Sequence, residues 1–178
     1  MAYDFHTAML RRLGAIQEAS VVPQTQNTLY KLQQQKQMSS DYLNGGNETG
    51  NTFNSFRSAI SAQESGGNYS AKNSSSGAMG KYQIMPSNLG GKGSGWDYEA
   101  LGIDITPQQF LSSPDLQEKI ASFKLKQYYD KYGPAGAAVA WYAGPGAVAK
   151  SSNSTASQGA YPSISAYKNS ILRKMGLA

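Results

Sequence analysis

Hydrophobic residues recur with a helical period over most of the chain after Thr52. The first such segment places apolar side chains three and four residues apart, at Phe53, Phe56, Ala59 and Ile60. The segment ends at Glu64, because the glycine pair 66–67 that follows breaks a helix. We therefore expect Glu64 to lie at the C-terminal end of a short helix.

Three later helices are predicted from their first residues. Thr106-Pro107 and Ser113-Pro114 each place a capping hydroxyl before a proline at the first helical position, and Ser163 is a third capping residue. The helix from Ser113 ends at Gly133, and a small-residue helix through Trp141 follows Pro134. The apolar positions of the second and last helices are Leu116, Ile120, Phe123, Tyr128 and Tyr132, and Ile164, Tyr167, Ile171, Leu172 and Met175.

The segments between these helices carry little strand signal. Residues 66–83 are expected to form a loop with at most a short hairpin. The glycine-rich residues 87–105 are expected to be irregular, with Trp96 and Tyr98 at a rim. The pattern predicts a mainly α domain over residues 51–178, of an ordinary domain size.

The first fifty residues differ in composition. They contain one short amphipathic segment before Pro23, a glutamine-rich stretch at 30–38 and a linker-like stretch at 44–51. We expect residues 1–50 to form an extended or helical arm that docks on a partner or is disordered.

Composition excludes several classes of site. The chain has no cysteine and a single histidine, His6, so disulfides, thiolate metal sites, histidine-based triads and multi-histidine zinc sites are not expected. No cofactor is expected either. No run of about twenty apolar residues predicts a membrane span. The opening residues 1–6 lack the basic flank and apolar run of a secretory signal.

Charge narrows the class of partner. The net charge is +5, and the charges of residues 1–50 cancel, so the excess lies in residues 51–178. A positive domain suits a polyanion, either a cell-wall glycan with its carboxylates or nucleic acid. The lysines are scattered without a basic run, so nucleic acid is not the expected partner.

Glu64 is the candidate for chemistry. Cleavage of a glycosidic bond needs a general acid whose pKa is raised, toward about 6–7, by partial burial. Glu64 precedes a glycine-rich, aromatic-bearing loop at 77–86, and the 12 tyrosines of the chain offer flat surfaces for sugars. A solvated glutamate at a helix end is the alternative interpretation for an isolated residue of this type.

Three sequence blocks together resemble the soluble lytic transglycosylase family. They are Glu64-Ser65, the segment Gly77-Ala78-Met79-Gly80-Lys81-Tyr82-Gln83-Ile84-Met85-Pro86, and the segment Ala140-Trp141-Tyr142-Ala143-Gly144-Pro145-Gly146. The resemblance covers residues 52–175 in order and spacing. It implies a lysozyme-like fold related to goose-type lysozyme, with a small or absent hairpin.

The resemblance also implies roles for individual residues. Glu64 would be the single catalytic acid and base, and no metal is involved. The residues implied in substrate binding are Ser74, Tyr82, Gln83, Met85, Trp141, Tyr142 and Tyr167. Trp141 and Tyr142 stand where the family has tyrosine and asparagine, which leaves open which of them replaces the family tyrosine. Ser163 stands where an acidic residue is common.

The implied substrate is peptidoglycan. Glu64 would cleave the β-1,4 bond between N-acetylmuramic acid and N-acetylglucosamine and leave a 1,6-anhydro ring. A hydrolytic muramidase remains the alternative, with Asp97, Glu99 and Asp104 as the acids that could activate water. A second alternative is an inactive glycan-binding component of a phage particle or secretion machine.

The polar leader suggests a setting. A cell-wall enzyme without a signal resembles a virion-associated lysin, carried in a phage tail or ejected from the capsid. Such a lysin would act at the bacterial cell wall and periplasm and open the wall locally during genome ejection. Residues 1–50 would then bind other virion or secretion-apparatus proteins.

Overall fold

The computed structural model describes residues 48–156 and 161–178. The amphipathic segment and the glutamine-rich stretch predicted for the N-terminal arm lie outside these residues. The described part contains α-helices joined by loops and one 3₁₀ turn at Pro86–Asn88. The helices are α1 (Glu48–Glu64), α2 (Gly95–Leu101), α3 (Pro107–Ser112), α4 (Pro114–Ala143), α5 (Ala147–Ser151) and α6 (Ile164–Lys174).

The long helix α4 is the centre of the domain, because it packs against α1, α2, α3, α5 and α6. It consists of two helical segments that meet at Gly133, whose φ of 65° and ψ of 177° are not helical. Glycine adopts this positive φ without the steric cost that a Cβ would bring, and Pro134 then fits the first turn of the second segment. The predicted break between the two segments is confirmed.

The predicted helix starts are also confirmed. The Thr106 hydroxyl accepts the backbone N–H of Gln109, whose side chain returns to the Thr106 N–H in a capping box. The Ser113 hydroxyl accepts the N–H of Leu116, and the Ser163 hydroxyl accepts the N–H of Ala166. Each cap satisfies a donor that the first helical turn leaves free.

One apolar core joins α1, α4, α6 and the loop between α1 and α2. Its fully buried side chains include Phe56, Ile60, Ile84, Phe110, Ile120, Leu125 and Ile171. The face predicted for α1 is the face that is buried. Helix α1 begins at Glu48, four residues before the point at which the sequence pattern becomes helical.

The loop that follows α1 contains almost no β-structure. Isolated antiparallel bridges pair Lys72 with Met79 and Met79 with Ile84, and the described residues form no longer strand. This mainly helical architecture, with bridges in place of a hairpin, confirms the predicted fold class.

The prediction of an irregular segment over residues 87–105 is wrong in part, because α2 forms within it. Asp97 explains the difference. Its side chain is fully buried and accepts the N–H groups of Gly90 at 3.2 Å and Ile105 at 2.9 Å, so it ties both flanks of the helix together. Trp96 packs against the core, whereas Tyr98 is 43% exposed as a rim residue would be.

Among the described residues, no helix is long and apolar enough to cross a membrane.

Candidate active site

Glu64 is the last residue of α1, and the fold brings it against α6. The Tyr167 hydroxyl donates a hydrogen bond of 2.5 Å to Oε1 of Glu64. One residue earlier, Gln63 Oε1 accepts the Ser170 hydroxyl at 2.8 Å. The C-terminal end of α1 is therefore fixed to α6 at two successive residues, which sets the direction of the Glu64 carboxyl.

Burial raises the pKa of Glu64 from its ordinary value of 4.5 to about 7. Removing a carboxylate from water disfavours its charged form. The hydrogen bond from Tyr167 and an interaction with the side chain of Trp141 act in the opposite direction and lower the pKa, but burial outweighs both. A carboxyl with this pKa can donate a proton at neutral pH and then accept one.

Two aromatic pairs each include a residue that interacts with this carboxyl, and adjacent residues at the end of α4 supply one ring to each pair. The Trp141 ring lies 5.3 Å from that of Trp96. The Tyr142 ring stacks on Tyr167 at 4.3 Å with an interplanar angle of 11°. Trp141 thus interacts with the carboxyl itself, whereas Tyr142 packs on the tyrosine that bonds it.

The loop residues implied in substrate binding differ in their exposure and in their hydrogen bonds. Gln83 has a positive φ of 50° and donates from its side chain to the Gly80 carbonyl at 3.1 Å. Met85 is 37% exposed. Ser74 is exposed in a turn in which the Asn73 side chain accepts the backbone N–H groups of Ser75 and Ser76. Ser74 and Met85 have surface available to a ligand.

Tyr82 requires a correction. Only 1% of its surface is exposed, and its hydroxyl donates to Glu118 at 2.9 Å. A ring in the core with an occupied hydroxyl has no surface to offer a sugar. Tyr167 is similarly buried, at 3% exposed, and its hydroxyl contacts Glu64.

Glu118 is the centre of a second polar cluster that the sequence did not reveal. It accepts the Tyr69 hydroxyl and the Lys81 ammonium, both at 2.7 Å, as well as the Tyr82 hydroxyl. Burial alone would raise the pKa of Glu118, but the hydrogen bonds from Lys81, Tyr69 and Tyr82 outweigh it and hold the pKa below the ordinary value.

The side chain of Gln117 binds backbone groups of the same loop. Its side-chain oxygen accepts the N–H of Lys81 at 2.9 Å, and its amide donates to the carbonyls of Tyr69 and Phe110. The Ser65 hydroxyl donates to the Lys81 carbonyl at 2.7 Å. Lys81 is therefore fixed from the end of α1 on one side and from the start of α4 on the other.

Gly80 permits this close approach. A Cβ at this position would lie 2.1 Å from the side-chain oxygen of Gln117, far inside contact distance. A signal for Gln117 did exist in the sequence, since it lies one helical turn before the apolar residues Ile120 and Ala121. A polar residue on a buried face must find hydrogen-bond partners.

The three acids considered for water activation all have other partners. Asp97 bonds two backbone N–H groups, Glu99 forms an ion pair with Lys124 at 2.8 Å, and Asp104 accepts the N–H of Gly93 at 2.9 Å. The residues with described side chains form no group of three or more histidines, cysteines or acids that could hold a metal ion.

The sequence of this chain matches a known family. The profile of the Transglycosylase SLT domain family matches residues 41–164. The chain belongs to this family. The predicted enzyme class agrees with the SLT domain assignment, and a search of the curated proteins found no significant match.

Solved structures resemble the SLT domain of this chain. The soluble lytic transglycosylase SLT70 from Escherichia coli is 24% identical, with a TM-score of 0.51, over 77% of this chain and 24% of that protein. An inactive mutant of lytic transglycosylase Slt from Pseudomonas aeruginosa is 22% identical, with a TM-score of 0.46, over 69% and 22% of the two chains. The first similarity supports the lysozyme-like fold. The chain spans less than a quarter of the length of either protein.

Proposed function

We propose that the domain cleaves peptidoglycan between N-acetylmuramic acid and N-acetylglucosamine by lytic transglycosylation. The observation that carries the proposal is the state of Glu64, a partly buried carboxyl whose pKa is raised to about 7 and whose hydrogen-bond donor is a neutral tyrosine. Such a group holds a proton near neutral pH and can transfer it to the oxygen of a glycosidic bond.

One carboxyl is enough for this reaction. Glu64 protonates the bridging oxygen, and the acetamido oxygen of the substrate stabilises the sugar cation. The ionised Glu64 then takes the proton of the C6 hydroxyl, whose oxygen closes the 1,6-anhydro ring. The proton count balances, because Glu64 regains the proton that it gave. Substrate-assisted glycosidases are a known exception to the two-carboxylate scheme.

The positions of the other acids favour this route over hydrolysis. A hydrolase of the inverting type needs a second carboxylate that is free to activate water. Asp97 is fully buried and engaged by backbone N–H groups, and Glu99 and Asp104 are engaged by Lys124 and Gly93. Asp97 has no exposed surface at which a water could bind, and the charge of Glu99 is already paired with Lys124.

Mass spectrometry of muropeptides released from purified sacculi tests the proposal. Anhydro-muramic ends are expected, and reducing ends, heavier by one water, would instead indicate a muramidase. The control is Glu64→Gln, which keeps the shape of the side chain. Equal release by wild type and Glu64→Gln would remove Glu64 from its role. Binding to sacculi by both proteins, with cleavage by neither, would identify a glycan-binding component.

We further propose that the domain acts in local wall penetration as part of a phage particle, with residues 1–50 binding other virion proteins. The polar, glutamine-rich composition of residues 30–38 supports this proposal. The test compares the full chain with residues 42–178 for cleavage and for incorporation into particles. Incorporation of both to the same extent would contradict an anchoring role, whatever the outcome for cleavage.

A further inference from the structure

Tyr142 makes two contacts that converge on one neighbour. Its ring stacks on the Tyr167 ring at 4.3 Å, nearly parallel. Its hydroxyl donates to the Pro162 carbonyl at 2.6 Å. Pro162 directly precedes Ser163, the residue that caps α6. Tyr142 therefore holds both the side chain of Tyr167 and the start of the helix that carries it.

We propose that Tyr142 is a positioning residue that acts through Tyr167, holding the Tyr167 hydroxyl against the Glu64 carboxyl. The proposal rests on the proposed function and deepens it, because it assigns the tuning of the catalytic proton to a residue outside the reacting atoms. It also separates the roles of Trp141 and Tyr142, since the Trp141 side chain lowers the pKa of the carboxyl, whereas the direct interaction of Tyr142 with it is only electrostatic.

The direction of a hydrogen bond explains why this positioning matters. A hydroxyl that donates to a carboxyl stabilises the ionised form, so it lowers the pKa and makes the proton easier to release. The bond is sensitive to small movements, since hydrogen bonds weaken steeply as distance and angle depart from the optimum. A ring stack and a fixed helix start together restrict such movements of Tyr167.

The groups around the carboxyl make a pH readout interpretable. Tyr167 from α6 and Trp141 from α4 act on the pKa of Glu64, and Tyr142 from α4 interacts with it electrostatically. Tyr161 interacts in turn with Tyr142. The neighbouring cation on α6, Lys168, donates to Asn153 at 2.7 Å.

A double-mutant cycle with Tyr142→Ala and Tyr167→Phe tests the proposal. The readout is the alkaline limb of the pH profile of kcat/KM on soluble peptidoglycan strands, which reports the pKa of the free enzyme's acid. Tyr167→Phe removes the donor, so the pKa of Glu64 rises and the limb moves to higher pH by about one unit. Tyr142→Ala is expected to move the limb in the same direction by less, and the double variant to match Tyr167→Phe alone.

Two further variants keep the outcome decisive. Tyr142→Phe retains the stack and loses only the bond to Pro162, so a smaller shift in the same direction is expected. If Tyr142→Ala does not fold, Tyr142→Phe decides the question alone. The matched control is Tyr132→Ala, which breaks an aromatic pair with Tyr128 on the same helix. It should lower the melting temperature without moving the limb.

Three results would overturn the proposal. One is an equal loss of activity at every pH, which indicates a purely structural role. Another is a rise in KM with no movement of the limb, which indicates direct sugar contact by Tyr142. The third is a limb shift in the double variant equal to the sum of the single shifts. Absence of cleavage by the wild type would instead count against the proposed function itself.

Discussion

Glu64 and Glu118 are both partly buried glutamates that accept a tyrosine hydroxyl, yet their pKa values move in opposite directions. Glu64 is raised to about 7, whereas Glu118 is lowered. The difference is the two cations beside Glu118: the Lys81 ammonium lies 2.7 Å from its carboxylate and the Arg57 guanidinium lies 3.7 Å from it. Neutral donors reduce the effect of burial on a carboxyl, and a cation together with them reverses it.

The comparison separates two uses of the same side chain. Glu118 is kept ionised and ties the loop at Tyr69 and Lys81 to α4. Glu64 is kept protonated up to neutral pH by burial, which outweighs the interactions with Tyr167 and Trp141 that lower its pKa. The fold thus provides a structural carboxylate and a proton donor from one residue type.

Glu64→Gln is the substitution with the largest expected effect on activity. We expect cleavage to fall by at least about a hundredfold, since general acid catalysis contributes that much or more. The matched control, Glu118→Gln, should retain cleavage of sacculi. Comparable loss of activity in both variants would show that the two glutamates are not functionally distinct.

Glu64→Gln is expected to raise the stability of the domain although it lowers its activity. The pKa of Glu64 is raised on folding, so its contribution to stability is highest below about 4.5 and falls as the pH rises to about 7. Glu64→Gln removes this penalty. We expect it to melt several degrees above wild type at pH 8 and with little difference at pH 4, by calorimetry. A difference of equal size at both pH values would contradict the raised pKa.

Lys81→Met should remove much of the stability that Glu118 provides, because the more distant Arg57, at 3.7 Å, is then its remaining ion-pair partner. The cost at pH 7 is expected to be about 1–2 kcal/mol, because Glu118 is only partly buried. Since folding lowers the pKa of Glu118, the stability it provides is present above its ordinary pKa and is lost as the pH falls below it. Urea unfolding of both proteins should therefore converge under acid conditions.

The double variant Lys81→Met, Glu118→Met checks the cause. Replacing both partners by apolar groups should recover part of the loss, because the remaining charge of the cluster, Arg57, keeps its hydrogen bond to Ser122. A double variant less stable than Lys81→Met would show that the other bonds of Glu118 dominate.

Trp141→Phe tests the smaller of the two interactions that oppose burial at Glu64. Loss of the indole interaction should move the alkaline limb of kcat/KM to higher pH, by less than Tyr167→Phe does. A raised KM with an unchanged limb would assign Trp141 to sugar stacking alone.

Glu99→Gln is expected to have the smallest effect. Its ion pair with Lys124 is partly exposed, and such pairs contribute at most about 1 kcal/mol. Cleavage and the anhydro product should be unchanged. Reducing-end products from the wild type that disappear in Glu99→Gln would revive Glu99 as a base that activates water.

The helices were predictable because their signals are local. The caps at Thr106, Ser113 and Ser163 and the break at Gly133 depend on residues within a few positions of each other. Helix α2 was not predicted, because the buried Asp97 that organises it acts through backbone groups up to eight residues away.

The site was predictable where residues match a motif and not where distant residues meet. Glu64 followed from its block, and the structure brings Trp141, Tyr142 and Tyr167 around it. In the cluster of Glu118, the bond from Tyr69 joins residues 49 positions apart, and no periodicity of either segment indicates that contact. Tyr82 was misassigned for the same reason, because its partner Glu118 lies outside the motif.

Gly80 and Gln117 pack against each other, and the missing side chain of Gly80 leaves the space that the Gln117 side chain fills. The amide of residue 117 occupies the space that any side chain at residue 80 would need. Changes at these positions are therefore coupled: an alanine at 80 would need a shorter residue at 117, which would in turn release the Lys81 amide, and it would still be strained by the φ of 71° at residue 80. A redesign of this loop would have to begin with both residues together.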